Sequence, residues 1–263
     1  RFVQCGIAEQ NMIGIAAGLA LEGKIPVVCT FAAFLSQRVL DQINASVSYP
    51  NINVKLAAAY TGLFASMCGA THQSLEDLAI MRAMPGMYVA AAADNQELQQ
   101  VMKAAMDHVG PVYYRVNRGA PDGIITEGKT FEWGKGYELH PGGDLTIVST
   151  GITSQWALQA ARQLEAEGIH ARMLHMPSIK PFDKELLLKA AKETGLIVTV
   201  ENHSVLGGLG GLVSEILSTE CPTRVIRVGV QDCYSETAAD PILAEYHGID
   251  AKGIMETVRK VWK

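Results

Sequence analysis

The sequence predicts an α/β protein with two doubly wound sheet domains, and three observations carry that prediction. Short apolar runs and stretches of helical apolar spacing alternate along the whole chain, as βα units require. The short runs are dominated by Val, Ile, Leu and Ala with little polar alternation, the pattern of parallel strands covered on both faces. One stretch rich in Gly, Pro and charge, 121–143, interrupts the alternation. A first domain over 1–125, a linker or arm over 126–143 and a second domain over 144–263 are therefore expected.

In order, residues 1–5 read as a strand that runs into a helix rich in Ala and Gly, apolar on every face from Met12 onward and so expected to be buried all round. A strand at 25–30 should be buried on both faces. Leu35, Val39, Leu40, Ile43 and Val47 set the spacing of a helix over 34–48. A strand at 53–59, a loop at 60–73 and a helix over 75–84 capped by Ser74 follow, the helix stopped by Pro85 and Gly86. Strands at 87–91 and 112–116 flank a helix over 95–109, and 129–139 suggests a small hairpin arm. The second half repeats the pattern: strands at 145–149, 171–176, 196–201 and 224–228 alternate with helices over 154–167, 184–194, 212–217 and 251–261. Ligand sites in such sheets lie at the carboxyl ends of strands.

Composition narrows the function. Of 263 residues, 48% are hydrophobic and 19% charged, enough for a sizeable core, and the formal charge of −5 leaves no basic footprint for nucleic acid or an anionic membrane. The richest apolar segment is broken by Glu22, Lys24 and Pro26, short of a membrane span. Cys5, Cys29, Cys68, Cys221 and Cys233 are odd in number and lack C-x-x-C spacing, so free thiols and a cytoplasmic location are expected.

Several residues stand out chemically. Glu9 is a lone acid opening a small-residue helix; a helix dipole alone would welcome it, and a partner in a buried site would equally explain it. Phe31 and Phe34 stand three apart just after a strand, able to line one pocket wall or simply to fill a core, with Gln37 and Arg38 one turn on. His72 lies in a Gly-Ala-Thr-His-Gln loop and Arg118 at a strand end, each open to a solvated reading as well. The glycines after His203 lack G-x-G-x-x-G spacing and read as structural, and no Walker motif or zinc spacing occurs, so no metal ligands are assigned to this chain.

Three strings together, Gly6-Ile7-Ala8-Glu9-Gln10, Cys29-Thr30-Phe31-Ala32-Ala33-Phe34 and Gly69-Ala70-Thr71-His72-Gln73, closely resemble the pyrimidine-binding half of the transketolase family of thiamine diphosphate enzymes. The likeness is strong to about Arg118 and continues by topology through the family's C-terminal domain. It implies that Glu9 hydrogen-bonds N1′ of the cofactor's aminopyrimidine, with burial keeping its carboxyl able to share a proton. It further implies that Phe31 and Phe34 pack on that ring with Gln37 and Arg38 as polar neighbours. His72 then faces substrate as a proton donor, and Arg118 grips its phosphate. Family members carry a strand and helix ahead of this point, so a preceding segment is expected before Arg1.

Two departures bear on the substrate. The family usually has an acid where this chain has Cys68, and many transketolases have a histidine where it has Tyr60, so both positions belong to the expected substrate pocket and an ordinary sugar phosphate is in doubt. A deoxygenated, branched or differently charged sugar fits better. The Gly-Asp-Gly motif that holds the diphosphate through Mg²⁺ or Ca²⁺ does not occur here. The resemblance thus implies an N-terminal partner subunit carrying that site, in an α2β2 heterotetramer that transfers a two-carbon ketol unit. Rival readings are a deoxyxylulose-phosphate-synthase-like enzyme, the β subunit of a 2-oxoacid dehydrogenase, and a catalytically silent regulatory homologue.

Overall fold

The computed structural model describes residues 1–118 and 125–262. Gly119 and the first residues of the Gly- and Pro-rich stretch, up to 124, lie outside the described residues.

The first half builds a sheet from β1 (Val27–Phe31), β2 (Lys55–Ala59), β3 (Tyr88–Ala91) and β4 (Val112–Val116). These strands are parallel in the order β1-β2-β4-β3, and a short antiparallel strand from the second half, β8 (Ser178–Lys180), completes the far edge. The second sheet runs β10 (Arg224–Val230), β9 (Leu196–Ser204), β6 (Leu145–Ser149), β7 (Ala171–His175) and β5 (Tyr137–His140), with β5 antiparallel. The 129–139 stretch therefore forms no hairpin of its own: its last residues begin β5, which pairs with β7 of the second sheet. In the register of the first sheet Phe31 stands beside Ala59 and Ala59 beside Val116, so the ends of β1, β2 and β4 open onto one place.

Helices cover the sheets: α1 (Glu9–Leu21), α2 (Leu40–Ile43), α3 (Asp77–Ala83) and α4 (Asn95–Asp107) in the first half, then α5 (Thr153–Glu165), α6 (Lys184–Thr194), α7 (Leu209–Glu220), α8 (Asp240–Tyr246) and α9 (Ala251–Val261). Three expectations give way here. Residues 1–6 pair with no strand. Helix α1 buries Ile13, Ala16 and Ala17 but turns Gly14, Gly18 and Leu21 outward, so its apolar character is not spent on this chain's own core. Strand β1 is an edge strand with Val27 exposed, rather than one covered on both faces.

The helix predicted over 34–48 exists as a run of wide turns, with π-helical segments Phe34–Arg38 and Asn44–Ser48 flanking α2. Each wide turn inserts a residue into the helical phase, the kind of local irregularity that clusters at functional sites. Glu76, not Ser74, precedes the first turn of α3; the Ser74 amide instead donates to Gly62 O at 3.0 Å.

The two halves share their packing. Leu78 and Val89 of the first half lie in one apolar cluster with Val148, Leu174, Ile197 and Leu209 of the second. Buried polar groups also cross the boundary. Arg115 on β4 forks onto Asp77 and donates to Asn202 O at 3.0 Å, while the Tyr113 hydroxyl donates to Asp77 at 2.5 Å. Glu97 of α4 meets His175 Nε2 at 2.8 Å, and Ser154 meets His175 Nδ1 at 2.7 Å. That Ser-His-Glu order resembles a nucleophile relay, but all three are enclosed and no substrate reaches Ser154.

Candidate active site

Glu9 is the first residue of α1 and, although charged, only 7% exposed. Its Oε2 accepts from Arg38 Nη1 at 2.9 Å, across 29 residues of sequence. Burial, the largest influence, pushes the Glu9 carboxyl up, yet a backbone amide and the Arg38 guanidinium together outweigh it and hold the group below the usual glutamate range. Burial was expected to keep this acid able to share a proton by opposing ionisation; in this chain the backbone amide and Arg38 turn the net shift the other way.

Arg38 reaches Glu9 because the wide turn over Phe34–Arg38 rotates it back toward α1, where the Gln10 side chain also donates to Arg38 O at 3.3 Å. The guanidinium carbon lies 3.9 Å from the centroid of the Phe34 ring, a cation–π contact. Gln37, expected beside the same ring, is drawn away and donates to Glu76 at 2.8 Å.

From Phe34 the rings continue. Phe31 is 5.6 Å from Phe34 and stacks on Tyr60 at 4.5 Å, and His72 meets Phe31 and Phe34 edge-on at 5.3 and 5.1 Å. The four rings are each half-buried, so they form a wall that a flat apolar group could cover. Arg118 closes the far end, its guanidinium carbon 5.4 Å from the Tyr60 centroid, and its side chain is exposed. One continuous surface therefore runs from a buried carboxylate, over aromatic rings, to an exposed cation.

His72 sits in a short 3₁₀ turn, Ala70–His72, and its Nδ1 lies 2.9 Å from the Thr71 hydroxyl. Cys68 ends the preceding turn and is exposed as a free thiol. Tyr60 has φ of +57°, a left-handed conformation uncommon for a residue with a bulky side chain. Of the residues singled out from the sequence, Glu9, Phe31, Phe34, Arg38, Tyr60, His72 and Arg118 come together through direct contacts, and Gln37 and Cys68 do not. His203, read as structural, is fully buried with Nε2 accepting from the Ala79 amide at 3.3 Å. Glu201 beside it receives the amides of Leu209 and Gly210 at 2.7 and 2.8 Å, and a Cβ on Gly208 would collide with its carboxylate. Among the described residues no group of three His, Cys, Asp or Glu side chains could hold a metal ion.

Sequence reasoning missed Thr61, Asn117 and Asn202, which fix the loop carrying His72. Thr61 donates its hydroxyl to Asn117 at 2.8 Å, and the Asn202 side chain takes the Leu63 amide at 2.8 Å and the Thr61 carbonyl at 3.2 Å.

Residues 1–122 match the family model of the transketolase pyrimidine binding domain, and residues 134–254 that of the transketolase C-terminal domain. The 6-deoxy-6-sulfo-D-fructose transketolase subunit SqwH of Clostridium sp. (strain MSTE9) is 44% identical over 99% of this chain and 81% of its own length. One of the subunits of an apulose-4-phosphate transketolase from Phocaeicola vulgatus is 42% identical over 98% of this chain and 82% of its own. A solved structure, described as a split gene transketolase in an inactive β4 tetramer, superposes with a TM-score of 0.92 at 45% identity and covers 99% of this chain and 84% of that one. With both domains matched and the similarity running the length of the chain, this protein belongs to the transketolase family.

Proposed function

We propose that this chain is the subunit of a two-chain transketolase that carries the aminopyrimidine side of a thiamine diphosphate site. Its partner is an N-terminal subunit that holds the diphosphate through Mg²⁺, and together they transfer a two-carbon ketol unit between sugar substrates. The observation that supports this reading is the buried Glu9 carboxylate tied by Arg38 to a wall of aromatic rings. Such a donor set fits a flat, basic heteroaromatic ring: rings cover its faces and a carboxylate meets a ring nitrogen.

When bound, the cofactor supplies the carbanion stabilisation that side chains lack. Glu9, held as a carboxylate, accepts or shares a proton at the ring nitrogen, and Phe31 and Phe34 cover the ring. His72 packs edge-on against the same rings, where an imidazole can exchange a proton with a substrate hydroxyl. Arg118, exposed beside Tyr60, offers a forked cation to a phosphate or sulfonate.

Cys68 and Tyr60 stand where an acid and a histidine serve ordinary sugar phosphates, and the relatives above are named for a sulfonated deoxy sugar and for apulose 4-phosphate. We read the donor here as a sugar of that altered kind. The test is reconstitution with an N-terminal subunit and thiamine diphosphate, followed by assay of ketol transfer from ketose donors against pyruvate and other 2-oxoacids. Transfer from a ketose supports the reading; use of pyruvate or a 2-oxoacid alone replaces it with one of the rival enzymes. No turnover with any donor points to the silent homologue.

A further inference from the structure

The second half of the chain holds the substrate side of the site in place through one amide. Tyr60 leaves β2 with its amide donating to Val116 O at 3.1 Å, then adopts its left-handed φ of +57°. Something must hold the following residues for that conformation to persist. Thr61 is buried, its hydroxyl on Asn117 Oδ1 at 2.8 Å, one residue before Arg118. Gly62, at φ +62°, approaches Asn202 so closely that a Cβ would collide with its side chain and carbonyl. Asn202 Oδ1 accepts from the Leu63 amide at 2.8 Å and Nδ2 donates to Thr61 O at 3.2 Å. One planar amide thus engages a carbonyl and an N–H two residues apart, as a neighbouring strand would.

Asn202 is itself fixed. It lies on β9, 2% exposed, and its own carbonyl accepts from Arg115 at 3.0 Å, with Arg115 forked onto Asp77. The loop closes on the same point, because the Ser74 amide donates to Gly62 O at 3.0 Å, so both ends of the segment bearing Cys68 and His72 meet at Gly62, between the two residues whose backbone Asn202 holds. We propose that Asn202 is a positioning residue for substrate: it acts through Thr61 and Gly62 to set Tyr60, Arg118 and the base of the His72 loop. This inference rests on the proposed transketolase function.

The test uses the reconstituted two-subunit enzyme with Asn202→Leu and, as a milder variant on the same path, Thr61→Val. KM for the sugar donor should rise by about tenfold or more, the scale on which small misplacements of binding groups act. Hydrogen–deuterium exchange at C2 of the bound cofactor should be unchanged, since Glu9 on α1 lies outside the clamp. Unchanged KM and kcat with only a lowered Tm would make Asn202 merely structural, and loss of C2 exchange in step with transfer would show a general collapse of the site; either overturns the proposal. If Asn202→Leu does not fold, Thr61→Val decides alone, and an unchanged KM there refutes the path. Amide hydrogen exchange in the lone chain needs no activity: Asn202→Leu should speed exchange at Leu63 and Ser74 and spare α1, and no change there removes the clamp itself. A wild-type complex that transfers no ketol unit sinks the functional reading instead.

Discussion

The two sheets follow one plan, four parallel strands and an antiparallel edge, yet they are finished differently. In the second sheet β6 is buried along its whole length and β9 up to Ser204, and the exposed positions on its edge strands β10 and β5 are the charged Arg224, Arg227 and Glu138. In the first sheet β1 leaves Val27 and Cys29 exposed, and α1 turns Gly14, Gly18 and Leu21 to the outside, with Phe2 and Ile7 nearby almost fully exposed. Chemistry and uncovered apolar surface coincide on the first sheet, whereas the second spends its buried polar groups on bracing the first. A site meant to be completed by another chain should look like the former, and its support like the latter.

The largest effect should come from Glu9→Gln, which strikes the first sheet's chemistry and leaves the second sheet alone. The amide keeps shape but cannot take the proton, so C2 exchange of the bound cofactor in the two-subunit complex should fall by about 10²–10⁴-fold, the usual worth of a positioned acid or base. The melting temperature should barely move. Exchange at the wild-type rate would take Glu9 out of the mechanism and leave the aromatic wall without a chemical partner.

Arg115→Met strikes the bracing instead. It leaves Asp77 buried without its counter-charge, and breaking such a pair from one side costs about 3–5 kcal/mol. Denaturant unfolding measures it; a loss below about 1 kcal/mol, the ordinary worth of a surface pair, would mean the halves do not lean on this network. The pH dependence has a definite sign. Burial, the largest influence, raises the Asp77 carboxyl, but Arg115, His203 and Tyr113 outweigh it and hold it low. The folded state thus binds this proton less readily than the unfolded chain, so the contribution is present above the ordinary Asp range and is lost as pH falls through the lower folded value.

A smaller effect separates the sheets at alkaline pH. Lys55 on β2 is buried and donates to His108 O and Gly110 O at 2.7 and 2.8 Å, and burial lowers its ammonium to about 8. Between that value and the ordinary lysine range the unfolded chain binds this proton more fully than the folded one, so the Lys55 contribution to stability should rise with pH across this window. Lys55→Met should flatten that slope in a pH series of denaturant midpoints. A slope that survives the substitution assigns the effect to another group.

Much of this contrast was legible in the residues. The alternation of apolar runs located β1 to β4, β6, β7, β9 and β10 because parallel strands in a covered sheet need such runs. Strand β8 escaped because its three residues sit between Pro177 and Pro181 and pair with a strand some ninety positions earlier, across the domain boundary. Helix α8 escaped although Asp240 and Pro241 are good first-turn residues, since only Leu243 and Ala244 face inward. Strand β9 runs past the predicted end because Glu201, Asn202 and His203 find buried partners that no local pattern announces. At the site, residue types were readable and partnerships were not: the Arg38 pairing with Glu9 depends on a wide helical turn, and the Asn202 clamp on the packing of one domain against the other.

The finest effect lies at the two positions where the site departs from its family's habit. Cys68 is exposed at the head of the His72 loop, and a thiol accepts hydrogen bonds poorly where a carboxylate would hold a sugar hydroxyl. Tyr60 stacks on Phe31 beneath Arg118 and adds no positive charge where a histidine could. Cys68→Asp combined with Tyr60→His should therefore shift donor preference toward xylulose 5-phosphate, by about tenfold in the ratio of kcat/KM values, a transition-state difference of about 1.4 kcal/mol. Histidine at 60 must still accept the left-handed backbone, which it tolerates better than most residues, so the fold should survive the change. The decisive comparison is the kcat/KM for xylulose 5-phosphate before and after. An unmodified complex that already handles that donor as well as its preferred sugar would show that Cys68 and Tyr60 are neutral replacements, and specificity would then have to be sought in the partner's share of the pocket.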